Sequence, residues 1–257
     1  MLTGQALVLT YHAIEMGPPP LCVAPRLFAR HLDLIVESGA RVLTVRALGA
    51  ELRDGGPHGP AVVITFDDGI ESVVRSAAPL LASRGLPATV FCVAGRLGGK
   101  SDWPSRADGT PTFALSAAGE VAALATSGWE IGSHGVSHDP LSGASLASEL
   151  SESRHILEEA TGSKVDSFAF PYGVRSPGAT ACLEAAGYTA ACTARLALAV
   201  PGSDPLALPR VDAHYVRRPR VLRAILAGRG RSYLRARDVG GRVRRLVRSD
   251  YESAESR

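Results

Sequence analysis

The stretch that decides the fold is an apolar segment that runs directly into two carboxylates, Val62-Val63-Ile64-Thr65-Phe66-Asp67-Asp68-Gly69. Its first five residues are β-branched or aromatic, which predicts a buried strand. Two adjacent aspartates at a strand end resist simultaneous ionisation. A metal ion bound by one of them would relieve that repulsion and leave the other ionised as a base beside a metal-bound water. Alone, the pattern is more typical of an acidic turn, in which Gly69 lets the chain change direction.

A second stretch, Trp129–His138, also follows an apolar run and carries His134 and His138. Histidines four residues apart point their rings at one site if the segment makes a helical turn after the strand. Two neutral imidazoles and one carboxylate are a frequent catalytic metal set with a position left open for water. A lone pair of this kind is more often a surface or core feature, but two metal-type clusters after two strands favour a metal site.

These stretches resemble the NodB-like polysaccharide deacetylases, also called carbohydrate esterase family 4. Thr65–Gly69 stands as the family's first motif, His134 and His138 as its second, and Pro171-Tyr172-Gly173 as its third turn. The opening Leu9-Thr10-Tyr11-His12 is similar to the branch that includes poly-N-acetylglucosamine deacetylases. The resemblance covers about residues 5–213 and implies an α/β fold, a distorted (β/α)7 barrel of the NodB type.

The resemblance also implies the roles of individual residues. Asp68, His134 and His138 would bind one divalent metal, zinc in the first place, although Co²⁺ and Ni²⁺ accept the same ligands. Asp67 would be the general base. The turn at Pro171 and Tyr172 would supply a backbone N–H to the developing oxyanion.

The general acid and the partner of the base are less clearly marked in the sequence. His12 matches the histidine that the poly-N-acetylglucosamine branch uses as acid, whereas other members take it from a motif near the last strand, where His214 stands; the closer match favours His12. Many members carry an arginine where this chain has Ala169. Arg210, at the end of the last predicted strand, is the candidate substitute for orienting Asp67.

Strand and helix patterns alternate at least six times, which predicts parallel strands with the chemistry at their carboxyl ends. The alternation alone does not separate a barrel from an open doubly wound sheet. The pattern predicts a helix over 72–83, another with Ser116 as N-cap, and a last strand over 206–211. Trp103, in a long loop over 95–112, is interpreted either as a sugar-stacking face or as local packing, the latter being favoured.

Composition excludes several other classes of protein. The 257 residues are 46% hydrophobic and 21% charged, with a net charge of +3, which is typical of a globular domain without strong polyanion binding. No nucleic-acid motif is found, and no nucleic-acid partner is expected. The four cysteines lack a metal-binding spacing and are predicted to be reduced thiols. The first residues lack signal-peptide features, so a cytoplasmic location is expected.

The predicted domains are the deacetylase barrel, residues 1–216, and an arginine-rich helical extension, residues 217–257. Twelve arginines lie between 217 and 248, interspersed with apolar residues. They are typical of amphipathic helices that contact anionic lipid at the inner membrane face or an acidic partner. The favoured interpretation is a solvated cap packed on the barrel.

The function predicted from these features is metal-dependent hydrolysis of N-acetyl groups on an N-acetylated sugar or glycan, with release of acetate. The expected location favours a cytosolic or membrane-linked precursor as substrate. Two alternatives stay open: hydrolysis of another linear or cyclic amide by the same site, and a non-catalytic barrel that binds a glycan or lipid.

Overall fold

The structure, a computed structural model, describes residues 2–140 and 145–238 as eight strands alternating with helices. The strands are β1 (Ala6–Tyr11), β2 (Arg41–Leu43), β3 (Ala61–Phe66), β4 (Thr89–Cys92), β5 (Glu130–Ser133), β6 (Ser167–Ala169), β7 (Ala190–Cys192) and β8 (Val211–Asp212). The α-helices are α1 (Pro25–Glu37), α2 (Val45–Arg53), α3 (Ala78–Ala82), α4 (Ala118–Thr126), α5 (Leu146–Thr161), α6 (Ala179–Ala185) and α7 (Pro219–Leu226).

The strands form one parallel sheet in the order β7-β6-β5-β4-β3-β1-β8, and β2 pairs with the first half of β3. The segment around β8 reaches both edges of this curled sheet, since Leu208 bridges to Cys192 and Val211 pairs with Leu9. The predicted distorted (β/α)7 barrel is therefore confirmed. In such a barrel the carboxyl ends of the strands meet at one face.

The centre of the sheet is buried on both sides, as parallel sheets covered by helices require. Every residue of β1 and β3 is buried. The ring of Phe66 lies between those of Tyr11 and Trp129, at centroid distances of 5.7 and 5.5 Å. This apolar layer fixes the end of β3, the strand that leads into the two aspartates.

The predicted last strand over 206–211 is wrong in its extent. Pro205–Ala207 is a short 3₁₀ turn, in which the Asp204 carboxylate accepts the N–H of Leu206 at 2.8 Å. Pro209 has no N–H to give to a strand ladder. Regular pairing is therefore confined to β8, which is two residues long.

The helix predicted after β3 begins with a π-helical turn, Val73–Ala77, before α3. Pro79 cannot donate the usual bond to the carbonyl of Arg75, which explains why the regular ladder is interrupted before it. The helix predicted to be capped by Ser116 also differs, because α4 begins at Ala118. Its first turn is closed by Glu120, which accepts the N–H of Ala117 at 2.8 Å.

The first part of the predicted C-terminal extension packs on the barrel. Leu222, Ile225 and Leu226 of α7, with Leu234 from the helical residues 231–238, are buried in the main core cluster. Residues 239–257 lie outside the described residues, so lipid contact through this segment stays a prediction. Within the described part of the chain, no helix has the length and apolarity needed to cross a membrane.

His31 gives a testable pH dependence of stability. It is fully buried on α1 and its Nδ1 lies 3.0 Å from the Tyr11 hydroxyl, while burial lowers its pKa to about 4. Since an unfolded histidine titrates near 6.5, the unfolded state binds more protons between these values. We expect full stability above about pH 6.5 and a loss approaching about 3 kcal/mol as the pH falls to about 4.

The check is denaturant unfolding of the wild type and of His31→Leu from pH 7 to 4.5. In the leucine variant, the free energy of unfolding should change less steeply with pH. The difference in slope should correspond to up to one fewer proton bound on unfolding. The slope, and not the absolute stability, is compared, because the leucine also changes packing. Equal slopes in the two proteins would contradict the prediction.

Candidate metal centre and active site

Three predicted metal ligands converge at the carboxyl end of the sheet. Asp68 follows β3, while His134 and His138 follow β5, and one ligand atom from each lies within 4.8 Å of the others. The Nε2 atoms of His134 and His138 are 3.5 and 3.3 Å from the same oxygen, Oδ1 of Asp68. All three side chains are buried.

His134 is held in the form that a metal ligand needs. Its Nδ1 lies 2.7 Å from the carbonyl oxygen of Ala169, which can only accept a hydrogen bond, so Nδ1 carries the proton. Nε2 therefore presents its lone pair toward Asp68. Burial lowers the pKa of His134 to about 4, which keeps the ring neutral near pH 7. A histidine ligand oriented by a carbonyl in this way is common in metal sites.

The backbone at this site is unusual. Among the described residues, positive φ outside glycine occurs at Asp68 (71°), His138 (66°) and Tyr172 (57°). Such conformations cost about 1–3 kcal/mol each and persist where the surrounding structure imposes them. After Asp68 the chain also needs Gly69 (φ 72°), because a Cβ there would lie 3.2 Å from the sulfur of Cys92.

His138 reaches the site through an irregular loop and not through the helical turn that its spacing predicted. The residues after β5 are non-helical, and both Gly135 and His138 have positive φ. Glu149 of α5 holds this loop, since its carboxylate accepts the N–H of Val136 at 2.6 Å and the Ser137 hydroxyl at 2.8 Å. No sequence pattern singled out Glu149 for this role.

Trp103 packs on the candidate metal ligand His138 and does not present an open face. It is 4% exposed, and its ring stacks on that of His138 at 4.0 Å with an interplanar angle of 24°. The interpretation as local packing is therefore the one that the structure supports. The His138 ring also meets that of Tyr172 edge-on at 4.9 Å.

Glu149→Gln should weaken metal binding without unfolding the protein. Residues outside the ligand set that orient a ligand typically contribute about 10–100-fold to metal affinity. The neutral glutamine amide has one acceptor oxygen instead of two charged ones, so it cannot accept both the Val136 N–H and the Ser137 hydroxyl as the carboxylate does. Zn²⁺ titration by calorimetry would measure the loss. Glu152→Gln on the exposed face of the same helix is the matched control. Equal affinities for both variants would mean that the loop needs no support from α5.

Asp67 faces a different partner. Its two carboxylate oxygens accept Nη1–H and Nη2–H of Arg210 at 2.7 and 2.8 Å, and both side chains are 5% exposed. Nε–H of Arg210 donates to the carbonyl of Thr193 at 3.1 Å, which fixes the guanidinium plane. The structure thus brings together the pair that the missing arginine at position 169 led us to expect.

The charge state of Asp67 follows from this pairing. Burial raises the pKa of the carboxyl, but the charge of Arg210 and its hydrogen bonds lower it by more, so the pKa lies below its usual range. Asp68 shows the same balance, in which the hydrogen bond from His138 is the leading opposing effect. The pKa values of both carboxyls therefore lie below their usual range, and the charge of Arg210 offsets that of Asp67.

The two histidines considered as the acid have different positions. His12 is partly buried and directly follows β1, whose last residue, Tyr11, pairs with Phe66 and accepts the N–H of Asp67 at 2.9 Å. His214 is exposed beyond β8, where its backbone N–H donates to Asp212 at 2.7 Å and its ring contacts Tyr215. The geometry therefore favours His12.

The third motif forms a short turn after β6 over Pro171–Gly173. Pro171 is buried, and Tyr172 is 45% exposed with its hydroxyl 3.0 Å from that of Ser105. Ser105 also donates to the carbonyl of His138 at 3.3 Å. The loop over 95–112 therefore joins the metal-side and tyrosine-side walls of the site.

The donor set fits a divalent transition metal. It offers one carboxylate and two imidazoles, a combination that leaves a coordination position free for water. The buried Nδ1 of His138 has no hydrogen-bond partner among the described residues, so no hydrogen bond at Nδ1 holds the His138 ring in another orientation. The described part of the chain has no other group of three such side chains placed to hold an ion.

Comparison with known proteins places this site in a family. The model of the polysaccharide deacetylase family matches residues 54–191, which include Asp67, Asp68, His134, His138 and Tyr172 but neither His12 nor Arg210. YxkH of Bacillus subtilis (strain 168), named as a candidate polysaccharide deacetylase, is 26% identical over 208 residues, 79% of this chain and 70% of its own.

Solved structures show the same fold. IcaB from Ammonifex degensii is 26% identical, with a TM-score of 0.74 over 88% of this chain and 97% of its own. The Streptococcus pyogenes deacetylase PplD, solved with acetate, is 22% identical, with a TM-score of 0.68 over 82% of this chain and 92% of its own. The family match extends over more than half of the chain and includes the buried ligand cluster. This chain therefore belongs to the polysaccharide deacetylase family.

Proposed function

We propose that this chain is a metal-dependent hydrolase that removes N-acetyl groups from an N-acetylated sugar or glycan and releases acetate. The observation that carries the proposal is the cluster of Asp68, His134 and His138. Beside it, the ionised Asp67 accepts two hydrogen bonds from Arg210. Family membership supports deacetylation of a glycan. The metal, the residue roles and the individual substrate are our inference.

The metal would be bound by Asp68, His134 and His138, and zinc best suits this mixed set, although Co²⁺ and Ni²⁺ accept it too. When bound, such an ion lowers the pKa of a coordinated water and polarises the acetamide carbonyl. The apolar layer beneath the site and the stacked Trp103 limit access of bulk water to the ligands.

The side chains divide the proton transfers between them. Asp67 accepts the proton of the attacking water, and Arg210 keeps its carboxylate ionised and oriented. His12, directly after the neighbouring strand β1, gives a proton to the amine leaving group. The backbone N–H of Tyr172, in the strained turn after Pro171, donates to the oxyanion.

A cytoplasmic location remains part of the proposal, as does peripheral contact with anionic lipid through the C-terminal arginines. Sedimentation of the full chain with vesicles of neutral or anionic phospholipid would test the lipid contact. Pelleting with anionic vesicles alone would support it, and no pelleting with either would end it.

The test of the activity is acetate release from chitooligosaccharides, N-acetylglucosamine nucleotides and lipid-linked N-acetyl sugars, with added Zn²⁺ or Co²⁺. We expect release by the wild type and by Asp54→Asn, an exposed aspartate, and a loss of about 10²–10⁴-fold in Asp67→Asn. No acetate from a protein with stoichiometric metal would point to another amide. No acetate and no bound metal would favour a non-catalytic binding barrel.

A further inference from the structure

A cavity of about 580 Å³ borders the candidate active site on the side of β6 and β7. Gly173, at its edge, directly follows Tyr172. Thr193, also in its lining, offers the carbonyl that binds Nε–H of Arg210. The lining residues therefore flank Tyr172 and orient Arg210, and Val200 and Pro201 extend the lining toward the amino end of β1, where Ala199 bridges to Ala6.

Arg195 is placed in this cavity by the same segment that directs Arg210 inward. The N–H of Arg195 donates to Oγ1 of Thr193 at 3.3 Å, and its carbonyl accepts the N–H of Arg210 at 3.0 Å. Arg195 is exposed. Among the described residues no carboxylate forms an ion pair with its guanidinium, whereas Arg175 across the cavity lies 3.5 Å from Asp204.

The positive lining continues past Arg195 into a second cavity of about 270 Å³. We call the two together the arginine groove. Its charged lining consists of Arg175, Arg195, Arg231, Arg235, Asp204 and Asp238. Four arginines against two aspartates leave a surplus of positive charge along this groove.

We propose that the arginine groove binds a phosphate or diphosphate group carried by the N-acetylated sugar. This rests on the proposed function and narrows its substrate to a phosphorylated sugar. Guanidinium groups match phosphate oxygens in paired hydrogen bonds, and the volume of the larger cavity lies in the range of small-molecule sites. A long glycan suits the groove poorly, because each deacetylated unit carries an ammonium group that the arginines would repel.

The kinetic test compares N-acetylglucosamine 1-phosphate and uridine diphosphate N-acetylglucosamine with neutral chitotriose. In Arg195→Gln we expect kcat/KM to fall by about 10–100-fold for the phosphorylated substrates and by less than about 3-fold for chitotriose. Arg195→Lys should recover part of the loss. Arg26→Gln, an exposed arginine of α1 outside the groove, should change neither. An equal fall for all substrates, or no preference of the wild type for phosphate, would overturn the proposal.

A binding experiment separates this proposal from the activity itself. Uridine diphosphate and inorganic pyrophosphate are titrated into the wild type and Arg195→Gln, at low and high salt. Salt-sensitive binding by the wild type that is weaker in the variant supports the groove, even if no substrate releases acetate. Equal binding by both proteins would place the anion elsewhere, for instance on the metal, and overturn the proposal.

The phosphate could belong to a soluble nucleotide or to a lipid carrier, and a third substrate distinguishes them. A short prenyl-diphosphate N-acetylglucosamine is compared with the uridine diphosphate sugar. If the wild type prefers one of these two substrates and Arg195→Gln loses that preference, the groove is supported and the source of the phosphate is identified. Rates no higher than for chitotriose with both would argue against a diphosphate ligand.

Discussion

Replacing Arg210 by methionine is expected to lower kcat/KM by about 10²–10³-fold and the free energy of unfolding by about 3–5 kcal/mol. Methionine keeps much of the apolar volume but leaves the Asp67 carboxylate buried without its bidentate partner. Burial then raises the pKa of Asp67 without the main opposing charge. The acid limb of the pH profile should therefore move to higher pH, because the base is ionised only at higher pH.

A double-mutant cycle distinguishes an orienting role from a purely structural one. Asp67→Asn and Arg210→Met each leave one buried charge unpaired, whereas the double variant leaves neither, so it should regain part of the stability lost by Arg210→Met. Activity should not return, since the base is gone. Arg84→Met, which breaks the partly exposed pair with Asp33, is the control and should cost no more than about 1 kcal/mol.

The pH profile of Arg210→Met distinguishes a role of the arginine in catalysis from a role in stability alone. If Arg210→Met lost stability but kept the rate and the acid limb of the wild type, the arginine would support the fold alone, and Asp67 would need another partner. An unchanged rate would also weaken the assignment of Asp67 as base.

The parts of the site that could be predicted are those marked by short, continuous sequence patterns. Asp67 and Asp68 follow a run of β-branched residues that ends in Phe66, and His134 follows the short segment 129–133. Since parallel strands bring their carboxyl ends to one face, the sequence sufficed to place these side chains together. The apolar residues of β1 and β3 are buried on both faces, which is why their strands were predictable to within a residue.

The contacts that orient these side chains were less predictable, because their partners are far apart in sequence. Arg210 binds a carboxylate 143 positions away, and only its place beside a strand hinted at that role. No local pattern separates Glu149, which holds the His138 loop, from the exposed Glu152 on the same helix. The spacing of His134 and His138 is helical, but positive φ at Gly135 and His138 gives an irregular loop instead.

The arginine groove illustrates a further limit of sequence patterns. The arginines of the C-terminal segment look like a lipid-binding stripe when they are counted along the chain. In the fold, Arg231 and Arg235 lie on the same groove as Arg195, which comes from the segment after β7. Tertiary placement therefore makes part of this charge available to the proposed phosphate ligand instead of to lipid.

Removing a metal ligand should have the largest effect on function. His138→Gln is expected to abolish stoichiometric zinc binding and to lower deacetylation by at least about 10³-fold, since water that is not bound to a metal has a pKa near 15.7 instead of about 7. The fold should survive, because Trp103 and Tyr172 can still pack on the glutamine stem. His155→Gln, an exposed histidine on α5, is the matched control and should bind and react like the wild type.

Stability provides a readout of the same site that does not depend on activity. Zinc at 1,000 times its Kd stabilises a folded site by about 4 kcal/mol through mass action, so the wild type and His155→Gln should melt at higher temperature with zinc than with chelator. His138→Gln should melt at the same temperature in both, because the remaining Asp68 and His134 offer too few ligands. Metal content after dialysis and thermal unfolding with and without chelator make the comparison. If His138→Gln kept one equivalent of zinc and the full thermal shift, the ion would lie elsewhere and the assignment of this cluster would be wrong.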